Sequence, residues 1–201
     1  MEIIYIINKT VFGNYRMNLL QRKIKKTEYF DPADKTSGSM FCKRINDLIK
    51  SCSSSGPKVI VCIGTDRATG DALGPIVGSI ISDKDSGYHV YGTLKSPVHA
   101  LNIRDCINTI YGRYDNPVVI AIDASLGHSN DVGMVTLCNS PLLPGIGVNK
   151  KLPAIGDISI TGIVNISGRP GINLLQSTRL YTVKNMADYI ADSLILADTT
   201  Y

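Results

Sequence analysis

Two short, uninterrupted apolar runs constrain the fold of this chain more than any other feature. Residues 59–63 and 118–122 are rich in β-branched side chains; Gly64 follows the first run and Asp123 the second. Such runs are typical of strands buried on both faces, as in parallel sheets covered by helices. The 201-residue chain is 44% hydrophobic, which suffices for the core of one domain.

Segments with helical periodicity alternate with these runs. Strands that alternate with helices need crossover connections, which place the helices on the faces of the sheet. We therefore predict a three-layer α/β fold with a mostly parallel central sheet. Residues 132–138 alternate in polarity and suggest an edge or half-exposed strand. Helices are expected at residues 40–49, 73–81, 97–111 and 180–194, and further strands at 88–93 and 158–164.

The first 39 residues differ in character from the rest of the chain. They contain a basic cluster at 22–26 and a small polar stretch at 35–39. A basic run of this kind is more often a solvated tail than a binding site. We therefore predict a leader that is poorly ordered or peripheral over residues 1–39, followed by a single α/β domain over residues 40–201.

Charge, hydropathy and cysteine content exclude several classes of protein. The formal net charge of +4 is mild and spread out, so direct nucleic-acid binding is not expected. No apolar run approaches the ~20 residues that a membrane helix needs. The five cysteines show no CxxC spacing, which argues against a disulfide framework or a zinc site and fits a reducing cytosol.

Two aspartates lie where an open α/β sheet places its ligand site, outside the carboxyl ends of the strands. Asp123 directly follows the run 118–122, and Asp71 follows the run 59–63 after a short loop, at the start of a helix. Paired carboxylates hold one proton between them and can activate water against an amide. We expect Asp71, near a helix N-terminus, to be the base and Asp123 to hold the proton. The alternative is that each is an ordinary cap or turn residue.

Three segments resemble signatures of the germination proteases of spore-forming bacteria. Residues 64–75 read Gly-Thr-Asp-Arg-Ala-Thr-Gly-Asp-Ala-Leu-Gly-Pro, similar to that family's loop ending in Thr-Pro-Asp-Ala-Leu-Gly-Pro. Residues 119–124 and 144–150 are similar to two later segments of the family, in the same order. The short length of the chain suggests the compact sporulation relatives of the protease.

The resemblance implies the α/β fold that this family shares with the hydrogenase maturation proteases. It also implies atypical aspartic peptidase chemistry with Asp71 and Asp123 as catalytic residues, and small acid-soluble spore proteins as substrates. The corresponding location is the cytoplasm of the forespore or the spore core. Thr65 stands where the family has Asn, and Gly70 stands where it has Pro.

A metal site is the main alternative at the same carboxylates. Hydrogenase maturation proteases of this fold bind a metal through acidic residues and a histidine, and His99 and His128 are available here. Neither histidine matches a ligand motif, and we expect both to be exposed or capping residues. The sequence therefore predicts no cofactor and no bound metal.

A Gly- and Pro-rich loop precedes the predicted strand 158–164. We expect Gly145, Gly147, Asn149 and Lys150 to form a substrate-binding loop that covers the two aspartates. The loop lacks the GxxxxGK[ST] order of a P-loop, so nucleotide binding is not expected.

Three functions remain open from the sequence. The first is a sporulation-associated, aspartate-dependent endopeptidase. The second is a non-catalytic sporulation protein that uses the same fold to bind a protein partner. The third is a metal-dependent hydrolase of the maturation protease type. Membrane association is not expected, and assembly into a homo-oligomer stays open.

Overall fold

A computed structural model describes residues 27–52, 54, 56–145, 152–167 and 171–199 of the chain. These residues form one sheet with helices on both of its faces, which confirms the predicted three-layer α/β fold. The strands are β1 (Glu28–Phe30), β2 (Lys58–Cys62), β3 (Tyr88–Tyr91), β4 (Val118–Gly127), β5 (Val135–Cys138) and β6 (Ile158–Ile166). The helices are α1 (Ser37–Ser51), α2 (Leu73–Ser82), α3 (Ile103–Arg113), α4 (Gly171–Gln176) and α5 (Leu180–Thr199).

The sheet has the strand order β1-β5-β6-β4-β2-β3. Strands β3, β2, β4 and β6 run parallel to one another, and β5 is antiparallel to both of its neighbours. The two apolar runs are therefore adjacent central strands, with Cys62 opposite Ile122 at the end of β2. Their carboxyl ends meet at one edge of the sheet.

Alternation along β2 and β4 divides the interior into two cores. Ile60 and Ile120 are fully buried beneath α1, α2 and α5, whereas Val59 and Val119 are fully buried beneath α3. Each side chain of this kind contributes roughly 1.5–3 kcal/mol by leaving water. In the described part of the chain, no helix has the length and apolar character needed to cross a membrane.

The end of the predicted leader differs from the expectation. Residues 28–30 form the edge strand β1, which pairs with β5, so β5 is an inner strand rather than an edge strand. Phe30 packs edge-on against Phe41 at 4.9 Å between ring centroids, and Arg44 pairs with Glu28 at 2.7 Å. These contacts attach the end of the predicted leader to the domain. The three residues of β1 carry no alternating pattern of their own, so their strand conformation depends on pairing with β5. Residues 1–26 lie outside the described residues.

Candidate active site

Asp71 lies on a single 3-10 turn, Gly70–Ala72, that connects the loop after β2 to α2. The turn folds back onto the end of β2, where the Thr65 N–H donates to the Asp71 backbone oxygen at 3.1 Å. Gly64 has φ +137°, and a Cβ at this position would lie 2.0 Å from that oxygen. A similar close approach occurs at Gly74, whose Cβ would lie 2.2 Å from the Ile63 oxygen. The two glycines thus allow the turn to press Asp71 against the sheet.

Asp123 lies inside a strand, which differs from the expectation that it ends one. Strand β4 continues to Gly127, because β6 is long enough to pair with it throughout, with a register shift between Ser125 and Leu126. Asp123 is nevertheless the first β4 residue beyond the end of β2, so its side chain still lies at the edge that the two strands share. Its Oδ1 accepts the N–H of Ala124 at 2.8 Å.

Burial and neighbouring groups shift the pKa values of both aspartates. Burial raises the pKa of Asp123 well above its ordinary value, and the charge of Asp71 raises it further. The hydrogen bond from the Ala124 N–H acts in the opposite direction and lowers this pKa. Burial also raises the pKa of Asp71, while the Thr65 N–H and His99 lower it. The helix N-terminus was expected to favour the charged form of Asp71. In the structure burial has the larger effect, and the pKa of Asp71 is raised. The catalytic roles of Asp71 and Asp123 remain predictions.

His99 joins the same edge of the sheet. The Gly64 N–H donates to the Val98 oxygen at 2.8 Å, and Ile63 and Val98 form a parallel bridge that places residue 99 beside the end of β2. His99 is half-buried and lies four residues before the first residue of α3. It lowers the pKa of Asp71. The predicted capping position agrees with the backbone oxygen of His99, which accepts the N–H of Ile103, the first residue of α3, at 3.0 Å. Its approach to the end of β2 was not predicted, because the pairing of Ile63 with Val98 has no local signal.

His128 does not belong to this group. It is exposed, and it lies five residues beyond Asp123 along the chain, roughly 16 Å at about 3.3 Å per strand residue. The described residues contain no group of three or more His, Cys, Asp or Glu side chains that could hold a metal ion.

A row of hydroxyl groups continues from Asp123 across the sheet. Thr161 on β6 is the register partner of Asp123, and its Oγ1 lies 2.7 Å from Thr136 Oγ1 and 3.2 Å from Ser125 Oγ. By alternation these side chains share the α3 face of the sheet with Asp123. Sequence reasoning missed this polar surface because it depends on the pairing of β4, β5 and β6.

The base of the predicted substrate-binding loop packs on the same face. Leu142 and Ile155 exchange two backbone hydrogen bonds, at 2.8 and 2.9 Å, and both side chains are buried in the α3-side core. Gly145 follows in a turn with φ +77°. Gly147, Asn149 and Lys150 lie outside the described residues, so the predicted covering of the two aspartates stays a prediction.

Comparisons with known proteins identify relatives of the chain. A family model described as "Protein of unknown function (DUF1256)" matches residues 30–193. The chain is 48% identical over 162 residues to the "Uncharacterized protein YyaC" of Bacillus subtilis (strain 168), covering 79% of each protein. Among solved structures it resembles the [NiFe] hydrogenase maturation protease HycI from Thermococcus kodakarensis KOD1, with a TM-score of 0.47 and 16% identity over 75% of this chain and 98% of that one. The resemblance to the germination proteases remains a prediction.

Proposed function

The chain belongs to the family described as protein of unknown function (DUF1256), and we propose that it is an endopeptidase in which Asp71 and Asp123 activate water. One observation carries the proposal. Two half-buried carboxyl groups, one on β4 just beyond the end of β2 and one on the turn that leads from β2 to α2, lie at one edge of the sheet, where burial and the charge of Asp71 raise the pKa of Asp123. Carboxylates with a purely structural role are seldom buried without a cationic partner. Catalytic carboxylate pairs, in contrast, are commonly buried together.

The pair divides one proton unequally. Burial and the neighbouring charge keep the proton on Asp123, while the Thr65 N–H and His99 favour the charged form of Asp71 against its burial. Two like charges in one partly buried site make the doubly ionised state costly at neutral pH. The resting pair therefore contains one acid and one base, and its two apparent pKa values belong to the pair.

Hydrolysis of a peptide bond follows from this division. The Asp71 carboxylate takes a proton from water as the water oxygen bonds to the carbonyl carbon, and Asp123 gives its proton to the carbonyl oxygen. The resulting tetrahedral diol then collapses. The C–N bond breaks as Asp71 returns its proton to the leaving nitrogen, and Asp123 recovers a proton from one hydroxyl. The products are a carboxylic acid and an amine, and the pair regains its starting state.

Small acid-soluble spore proteins are the proposed substrates, and the forespore or spore core is the proposed location. The support is the similarity of residues 64–75, 119–124 and 144–150 to the germination protease segments. The hydroxyl row formed by Ser125, Thr136 and Thr161 adds a polar surface beside Asp123 on the same face of the sheet.

The test is cleavage of a small acid-soluble spore protein by the purified chain and by three variants. We expect Asp71→Asn and Asp123→Asn each to lower kcat at least ~100-fold, because each removes a proton-transfer group. Asp66→Asn is the matched control, since Asp66 is an exposed carboxylate of the same loop. We expect it to retain the parent rate, and circular dichroism will verify that each variant is folded.

Other outcomes distinguish the remaining functions. Tight binding of the spore protein without cleavage by the parent chain would contradict the peptidase and favour a partner-binding protein. Activity that a chelator abolishes and added metal restores would favour a metal-dependent hydrolase. The proposed reaction uses the two carboxyl groups alone, so we expect its rate to be unchanged by a chelator.

A further inference from the structure

A third ionisable side chain is held at the two aspartates by backbone pairing. The Ile63 N–H donates to the Ile122 oxygen at 2.7 Å, which fixes β2 beside the residue that precedes Asp123. The next N–H, that of Gly64, donates to the Val98 oxygen at 2.8 Å. Consecutive amides at the end of β2 therefore bind one segment that leads to Asp123 and another that leads to His99.

The turn that follows His99 fixes the orientation of its ring. The Leu101 N–H donates to His99 Nδ1 at 3.3 Å, and the His99 N–H donates to the Asn102 side-chain oxygen at 2.8 Å. The Asn102 amide is itself held by the Pro97 oxygen at 3.0 Å. Since Nδ1 accepts a hydrogen bond, the neutral imidazole carries its proton on Nε2.

His99 and Asp71 both lie beside the end of β2, because the Gly64 N–H donates to the Val98 oxygen and the Thr65 N–H donates to the Asp71 backbone oxygen. The pKa of Asp71 is raised by burial and lowered by the Thr65 N–H and by His99, yet no direct hydrogen bond joins His99 to Asp71 among the described contacts. An oxygen atom that bridges two polar groups is enthalpically nearly as good as a direct hydrogen bond between them. In a peptidase that oxygen belongs to the substrate or to the attacking water.

We propose that His99 donates a hydrogen bond from Nε2 to the carbonyl oxygen of the peptide bond attacked at Asp71 and Asp123. The proposal rests on the proposed function. A fixed donor aimed at an oxygen that becomes negative in the transition state is typically worth 10²–10³ in kcat. The same tautomer opposes metal binding, because a metal needs the Nε2 lone pair, and a proton moved to Nδ1 would face the Leu101 N–H.

Substitutions of His99 separate a donor from a metal ligand. We expect His99→Ala to lower kcat for the spore protein roughly 100-fold with little change in KM, because the bond strengthens in the transition state. His99→Gln should stay within about tenfold of the parent, since its amide N–H reaches the position of Nε2, whereas His99→Asn, which is too short, should resemble His99→Ala. His128→Ala is the control for an exposed histidine and should be unchanged.

The ring itself gives a readout that does not depend on cleavage. Long-range ¹⁵N–¹H NMR of the imidazole should show the proton on Nε2, and addition of Zn²⁺ should leave the His99 signals unshifted. Zn²⁺ ligation at Nε2, or a parent-like kcat in His99→Ala, would overturn this inference while the aspartate variants still report on the proposed function. A parent chain that cleaves nothing would instead refute the proposed function, and with it the role of His99.

Discussion

Replacing Gly64 with alanine tests whether the turn that carries Asp71 is pressed against the end of β2. The new Cβ would lie 2.0 Å from the Asp71 backbone oxygen and 3.2 Å from Pro75 Cδ, and the residue would have to keep φ +137°. Overpacking of a filled site costs ~1–3 kcal/mol, and a backbone region that favours glycine costs ~1–3 kcal/mol more. We expect Gly64→Ala to lower the free energy of unfolding by roughly 2–6 kcal/mol.

The assay is urea unfolding followed by far-ultraviolet circular dichroism, with the slope checked for two-state behaviour. Gly112→Ala is the matched control, because Gly112 is exposed in α3 and a Cβ there meets nothing within 4 Å. Alanine at this helical position should raise stability by about 0.5–1 kcal/mol. A Gly64→Ala protein as stable as the parent would refute the proposed packing of the turn. Where the variant folds, a shift of about 1 Å in Asp71 should also cost about 100-fold in cleavage rate.

Two further predictions concern the pH dependence of stability. Burial and the charge of Asp71 raise the folded-state pKa of Asp123, so its ionisation opposes folding above about pH 4. Asp123→Asn should therefore raise the free energy of unfolding at pH 7 by roughly 1–3 kcal/mol. Equal stability of the variant and the parent at pH 7 would contradict the burial argument. For Asp198, Lys58 and the Gly87 N–H outweigh burial and lower the pKa. Asp198→Asn should lower the free energy of unfolding by about 1 kcal/mol at pH 7, and this difference should vanish as the pH falls through the folded-state pKa of Asp198. A constant difference down to pH 2 would show that charge is not the cause.

The layered fold could be predicted because its strongest signals are local. The runs 59–63 and 118–122 are apolar without alternation, which indicates burial on both faces, and they became β2 and β4. The edge strand β1 could not be predicted, since its three residues carry no pattern of their own and owe their conformation to β5. The continuation of β4 past Asp123 likewise depends on the length of β6, a distant segment.

The candidate site could be predicted only in outline. Parallel strands have their carboxyl ends at one edge of the sheet. Asp71 and Asp123 each follow a buried run, so their side chains were expected to lie close together if the two strands were neighbours. Strand order, which decides that condition, is a property of the whole sheet. The placement of His99 depends on a pairing between Ile63 and Val98, and the hydroxyl contact of Thr161 with Thr136 depends on β5 and β6. None of these long-range contacts has a local sequence signal.

Titration of the two carboxyl groups by ¹³C NMR tests most directly whether they hold one proton together. We expect the Asp123 signal to titrate well above the ordinary range in the parent protein, and its apparent pKa to fall in Asp71→Asn while burial still keeps it elevated. Independent titration of both groups near their ordinary value of about 3.9, unchanged when the other is replaced by asparagine, would contradict the shared proton and the reaction built on it.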